Sequence, residues 1–274
     1  MPQIRKNGRK TGIFLGKSPY PGENRRSASC PSAKKMVGWW HQENDFFSGG
    51  PHMDRILLFD LDGTLTDSRE GIVRSVRYAL EKRNRPIPPE DILLRFIGPP
   101  LEDSFRRYCG LTGEEAEEAV RLYRERYAPI GLYENRPAPG LADYCRRWKA
   151  EGCRLALASS KAEAMCVKVC ERFGFSESLE VIAGSRPGSG MTKADVIREC
   201  MARMRLTEED KRRTLMVGDR KFDVEGAAEC GLPCVGVEFF GYAEPGELKA
   251  AGAVAVVKTA AELDACLRNC AFPG

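Results

Sequence analysis

Histidine is almost missing from this chain. Of 274 residues only His41 and His52 carry an imidazole, and both precede the first apolar run that reads as a strand. A Ser-His-Asp or Cys-His nucleophile, or a histidine-ligated zinc, would have to draw that stretch into its site. Chemistry on this chain therefore falls to carboxylates, lysines and hydroxyls. Long apolar runs are missing too: nothing approaches the roughly 18 residues of a membrane span. Gly12-Ile13-Phe14-Leu15-Gly16 is too brief for the apolar region of a secretory signal. With 42% apolar and 30% charged residues, the composition is that of a soluble globular protein, expected in the cytoplasm. Cysteine occurs eleven times, but never as C-x-x-C or beside histidine at zinc spacing. Cys166 and Cys170, Cys230 and Cys234, and Cys266 and Cys270 stand four apart, as on one helix face. They read as small buried thiols in a reducing compartment.

Charge is distributed unevenly. Residues 1–52 hold nine Lys/Arg against Glu23, Glu43 and Asp45, about +6, which leaves −2 for the remainder of a chain of net charge +4. This segment is rich in Gly, Pro, Ser and Asn, has no hydrophobic period, and is expected to be a disordered basic extension. Three readings of it stay open: an upstream region or expression remnant ahead of a start at Met53, a solvated basic arm, or a targeting or nucleic-acid-binding arm. Trp39-Trp40 and Phe46-Phe47 are its only candidates for docking on a surface.

From Met53 the pattern becomes regular. Ile56-Leu57-Leu58-Phe59 has the length of a buried strand. Helical spacing follows at Ile72-Val73, Val76 and Ala79-Leu80, with Asp67 and Glu70 placed as a capping box. A short amphipathic piece near 90–96 runs to Gly98-Pro99-Pro100, a helix covers about 101–109, and another opens at Thr112-Gly113-Glu114-Glu115 and runs to about Ala128. Four helices without a strand, inserted after the first strand, predict an α-helical cap over 69–137. Pro137-Ala138-Pro139-Gly140 marks the return to the main body. Strands are expected at Cys153–Ala158, Leu179–Ala183, Thr214–Val217, Pro233–Val237 and Ala253–Val256, separated by helices. Alternation of this kind predicts an α/β fold with a doubly wound parallel sheet, built from 53–68 and 138–270.

The polar residues gather where these strands end. Asp60-Leu61-Asp62-Gly63-Thr64 follows the first strand and offers two carboxylates spaced i, i+2, suited to a nucleophile and a general acid/base beside a divalent cation. Ser159-Ser160-Lys161 follows the second long strand, with a hydroxyl and N–H groups able to hold a phosphoryl oxygen. Lys193 opens a helix capped by Thr192 and Asp195, where a cation opposes the helix dipole and so calls for an anionic partner. Gly218-Asp219-Arg220-Lys221-Phe222-Asp223 adds two acids between a strand and a helix. Mg²⁺ needs one or two carboxylates besides substrate phosphate and water, and Asp60 and Asp219 would supply them.

Over about residues 55–265, and in this order, these motifs resemble the haloacid dehalogenase superfamily of phosphohydrolases. The resemblance implies that Asp60 is the nucleophile that becomes an aspartyl phosphate. Asp62 is then the acid/base, with its backbone carbonyl on Mg²⁺. Ser159, Lys193 and Gly63 bind phosphate, Asp219 is a metal ligand, and Asp223 and Ser160 support them. The insert resembles the lid of the phosphoglycolate phosphatase-like branch, with Ile97-Gly98-Pro99-Pro100-Leu101 approaching the leaving group. Val181–Ser185, Gly218–Asp223 and Gly241-Tyr242 are similar to a subgroup labelled 5′-nucleotidase or phosphoglycolate phosphatase. The expected substrate is a small phosphorylated metabolite, with no nucleic-acid or membrane partner, acted on by a monomer or homodimer. Dehalogenases and phosphonatases of this fold lack an acid at the position of Asp62, and a sugar phosphomutase would carry a histidine early in the cap. A catalytically idle phosphate-binding module would need neither Asp62 nor both acids of the last motif. Arg95, Arg106 and Lys161 read equally as substrate contacts or as surface charge.

Overall fold

The structure, a computed structural model, describes residues 53–269 except 187. Readings made on 1–52, on Cys270 and on the last residues lie outside the described part.

In chain order the strands are Ile56–Phe59 (β1), Thr66–Asp67 (β2), Arg136–Pro137 (β3), Arg154–Ala162 (β4), Val181–Ser185 (β5), Thr214–Gly218 (β6), Cys234–Val237 (β7) and Ala255–Val257 (β8). Helices Arg69–Lys82 (α1), Glu90–Leu93 (α2), Leu101–Cys109 (α3) and Glu114–Tyr127 (α4) lie between β2 and β3. Leu141–Ala150 (α5), Glu163–Arg172 (α6), Lys193–Arg203 (α7), Lys221–Glu229 (α8), Glu247–Ala251 (α9) and Ala260–Asn269 (α10) complete the chain. No helix among the described residues is long and apolar enough to cross a membrane.

All four side chains of β1 are fully buried, the mark of a strand covered on both faces. It sits inside a parallel six-stranded sheet of order β5-β4-β1-β6-β7-β8, with Phe59 level with Leu157 of β4 and Val217 of β6. Alternation divides its side chains between two cores. Leu57 and Phe59 face the layer containing Trp148 and Leu263, whereas Ile56 and Leu58 face Val196, Ile197 and Val224. Trp148 stacks on Phe59, with ring centroids 6.1 Å apart, and donates its indole N–H to Asp264 at 2.8 Å. Trp148→Ala is expected to cost about 3–5 kcal/mol, read as a lower urea midpoint at unchanged slope.

Several sequence expectations shift in detail. The strand that ends on Ser159-Ser160-Lys161 is longer than its apolar run: β4 continues through Ala162, with a register break against β5 between Ser159 and Ala162. An irregularity of this kind re-aims side chains, and the polar residues stand on the bulged end of the strand instead of on a turn after it. The Asp67–Glu70 capping box does not form. Ser68 is the N-cap of α1, and Asp67 instead accepts from the Tyr242 hydroxyl and the Arg69 N–H and pairs with Arg136 at 3.5 Å. Asp67 lies in β2, opposite Arg136 of β3, so it stands one residue before the N-cap and meets only the first helical N–H. Gly113, at positive φ, is the N-cap of α4, so no side chain caps that helix start. The Thr192–Asp195 box forms in both directions. Cys166 and Cys170 share the buried face of α6, but Cys230 ends α8 and Cys234 lies on β7, so that pair shares no helix face.

The two-residue ribbon β2–β3 was not foreseen. Thr66 lies opposite Pro137 and Asp67 opposite Arg136, and the buried Asn135 side chain donates to the Thr66 hydroxyl at 3.2 Å. This ribbon joins the points where the chain leaves for α1–α4 and comes back.

Candidate active site

Asp60 is the first residue past β1, and its N–H still bonds to Val217 O at 2.9 Å, so the sheet itself fixes the base of this side chain. The chain then turns tightly: Gly63 donates to Thr66 O at 2.7 Å and Leu65 to Leu61 O at 2.9 Å. Only glycine is tolerated at 63. Its φ is +95°, and a Cβ there would fall 2.0 Å from Asp219 Oδ2. Gly63 thus packs against Asp219 and Tyr242 and does not line the cavity beside them. From β6, Gly218 leads to Asp219 and on to α8, where Asp223 Oδ2 accepts the Arg220 N–H at 3.0 Å.

Three buried carboxylates, Asp60, Asp219 and Asp223, each offer an oxygen within 4.8 Å of the others. Among the described residues, one cation pairs with two of them. Lys193 Nζ lies 2.5 Å from Asp60 Oδ1 and 2.7 Å from Asp223 Oδ1, and also donates to Ala158 O at 3.1 Å. Burial pulls the Lys193 ammonium down, but Asp223 and Asp60 outweigh it and hold it above its ordinary value. The position of Lys193 at the start of α7, unfavourable to the dipole, is explained by these partners. Burial pushes Asp60 up to about 6 in spite of Lys193, and burial with Asp223 and Asp60 pushes Asp219 well above the usual range. Asp219 Oδ2 is buried with no hydrogen-bond partner, and Oδ1 receives only a long 3.4 Å bond from Thr64. Three acids against one lysine form a site short of positive charge, and its oxygen-only donors suit a hard divalent cation.

Asp62 belongs to a second pair. Its Oδ2 accepts from Lys161 Nζ at 2.6 Å, and the same ammonium reaches the Tyr127 hydroxyl at 2.5 Å. Ser159 is buried, and its Oγ accepts the Lys161 N–H at 3.4 Å. Asp60, Asp62, Ser159, Ser160, Lys193, Asp219 and Asp223 all line one cavity of about 440 Å³. Its far wall comes from the helical insertion, through Gly98-Pro99-Pro100-Leu101, Tyr123, Arg124 and Tyr127. Arg220, nearly buried, ties the two sides: Nε bonds to Glu247 at 2.9 Å and Nη1 to Ile97 O at 2.7 Å.

A family model described as haloacid dehalogenase-like hydrolase matches residues 57–237. The chain belongs to this family. Among curated relatives, it is 42% identical over 182 residues to the tyrosine-protein kinase PtkA of Mycobacterium tuberculosis, covering 66% of this chain and 61% of that protein. It is 39% identical over 195 residues to a 5′-nucleotidase of Pseudomonas aeruginosa, covering 71% of this chain and 86% of the relative. A solved structure from Clostridium acetobutylicum, described as a predicted phosphatase, superposes with a TM-score of 0.74 at 36% identity. The match covers 80% of this chain and all of that one.

In this member of the haloacid dehalogenase-like hydrolases, sequence reasoning passed over Lys161, Arg220 and Tyr127. Lys161 was set beside Arg95 and Arg106, which prove to be exposed partners of Glu244 and Glu102. No local pattern separates the three. What distinguishes Lys161 is the break in β4 that turns it inward, and the breakpoint depends on β5 across the sheet.

Proposed function

We propose that this protein is a Mg²⁺-dependent phosphomonoester hydrolase acting on a small phosphorylated metabolite, of the phosphoglycolate or nucleoside monophosphate class. The observation that carries this reading is Lys193 bridging Asp60 and Asp223 inside an acidic cluster still short of positive charge. Asp60, Asp219 and the backbone carbonyl of Asp62 would hold Mg²⁺, with Asp223 beside them. When bound, Mg²⁺ supplies positive charge against the phosphoryl oxygens. Lys193 and Ser159 orient the phosphoryl group, and Asp60 attacks phosphorus as the ester oxygen departs, giving an aspartyl phosphate. Asp62 gives its proton to the departing oxygen and then takes one from the water that attacks the same phosphorus and frees Asp60. Residues 69–137 act as a lid over a core of 53–68 and 138–270, and shut water away from the first transfer.

A second reading rests on the relative named tyrosine-protein kinase: a phenolic hydroxyl in place of water as the acceptor. The roofed cavity favours a small ester over a folded protein. Two assays separate them. Hydrolysis predicts Mg²⁺-dependent release of inorganic phosphate from p-nitrophenyl phosphate and from a panel of small esters. Phosphotyrosine formed from labelled ATP, with no free phosphate released, would replace it by the second reading.

The metal assignment has a readout apart from activity. Mg²⁺ is expected to raise the thermal midpoint of the wild type, by about 2.7 kcal/mol of stability at a hundredfold excess over Kd. Asp219→Asn should lose this response and unfold at a higher temperature than the wild type without metal, because the amide removes the cost of ionising a buried carboxyl. An equal Mg²⁺ response in both proteins would dismiss Asp219 as a ligand.

A further inference from the structure

The two lysines of the cavity divide the work between the two acids of the first motif. Lys193 serves Asp60 and Asp223, and Lys161 serves Asp62. Lys161 stands on the bulged end of β4, with its side chain only 8% exposed. Its second partner comes from the helical insertion: Tyr127, at the last turn of α4, is buried and stacked on Tyr123 with ring centroids 5.0 Å apart. The ammonium thus joins a core carboxylate to a hydroxyl of the insertion. Asp62 Oδ2 is occupied by this contact, while Oδ1 is buried and has no hydrogen-bond partner. A carboxylate held by one oxygen, with the other buried and unpaired beside the cavity, has a fixed direction. Losing that direction matters, since proton transfer depends on placement within hydrogen-bond reach.

We infer that Lys161, seated by the Tyr127 hydroxyl, is a positioning residue that holds Asp62 by one oxygen and so aims its unpaired oxygen at the leaving group, so that the acid is in place only when the insertion covers the cavity. This rests on the hydrolase reading above. The step it serves is the first one: the bond from Asp60 to phosphorus forms, the ester P–O bond breaks, and the departing oxygen takes the proton from Asp62. Leaving groups differ in their need for that proton. An alkoxide must be protonated as it departs, whereas p-nitrophenolate leaves as a stable anion.

The test compares kcat/KM for glycerol phosphate and for p-nitrophenyl phosphate in the Mg²⁺-loaded full chain. Lys161→Met is expected to lose on the order of 10²-fold on the alkyl ester and only a few-fold on the aryl ester. Tyr127→Phe keeps the ring but removes the hydroxyl, and should shift the ratio of the two esters the same way by a smaller factor. Lys161→Arg should recover part of the alkyl activity. If Lys161→Met fails to fold by circular dichroism, the Tyr127→Phe ratio decides alone. Equal losses on both esters would reduce Lys161 to a structural ion pair, and a rise in KM at constant kcat would make it a substrate-binding group; either overturns the inference while hydrolysis stands. A wild type inert toward both esters, or turnover surviving in Asp60→Asn, removes the hydrolase reading and this inference with it.

Discussion

Asp60→Asn is expected to yield a folded protein with turnover of p-nitrophenyl phosphate reduced by between about 10⁴-fold and about 10⁶-fold. An amide oxygen has the shape of the carboxylate but cannot form the acyl phosphate, so the loss falls on kcat. Stability should move the opposite way. A carboxyl raised to about 6 by burial, above its ordinary 3.8, binds its proton more tightly folded than unfolded. Its contribution is therefore favourable at low pH and is lost as pH rises through about 6, so the ionised group weakens the fold at neutral pH. The amide carries no such burden and still offers an oxygen to Lys193. A metal-free thermal midpoint equal to or above the wild type, together with absent turnover, is the expected pair. Residual activity within tenfold of wild type would contradict the nucleophile assignment.

Lys193→Met should damage both properties. Lys193 is the only cation among the described residues in contact with both Asp60 and Asp223, and its side chain is just 6% exposed. Taking away one partner of a buried ion pair leaves the other uncompensated, at about 3–5 kcal/mol. Here Asp60, Asp219 and Asp223 remain together. Urea unfolding without metal should show that loss, and adding Mg²⁺ should restore more stability to the variant than to the wild type, because a cation then enters a more negative site. Turnover should fall by about 10²-fold to 10³-fold, the scale of losing one preorganised donor to the developing charge. A variant as stable as the wild type without metal would show that Lys193 does not offset the three acids.

The sheet and the acidic cluster were both legible because each is written locally. Four consecutive apolar residues, 56–59, can only be a short element buried on both faces, and the carboxylates at 60 and 62 stand immediately after it. The same logic located Asp219 after Thr214–Gly218, and the capping pair Thr192 and Asp195 placed Lys193 at a helix start. What escaped was set by residues far apart in the chain. Asp67 fitted a capping box by spacing, yet Arg136 and Tyr242 claim it from 69 and 175 positions away. Lys161 looked no different from Arg95 until β5 fixed where β4 breaks and α4 supplied Tyr127. The β2–β3 ribbon, two residues on each side, is too short for any periodicity to betray.

That small ribbon has an evolutionary consequence. Because Thr66 and Pro137 are directly paired in a ribbon separate from the six-stranded sheet, everything strung between them leaves and returns at neighbouring points. A segment with adjoining ends can be lengthened, shortened or exchanged for another without rethreading the polypeptide that carries Asp60 and Asp219. The wall that this stretch gives the cavity can therefore diverge while Asp60 and Asp219 stay in place, and exchanging residues 68–135 for the matching stretch of a relative is expected to leave the sheet folded, as circular dichroism would check.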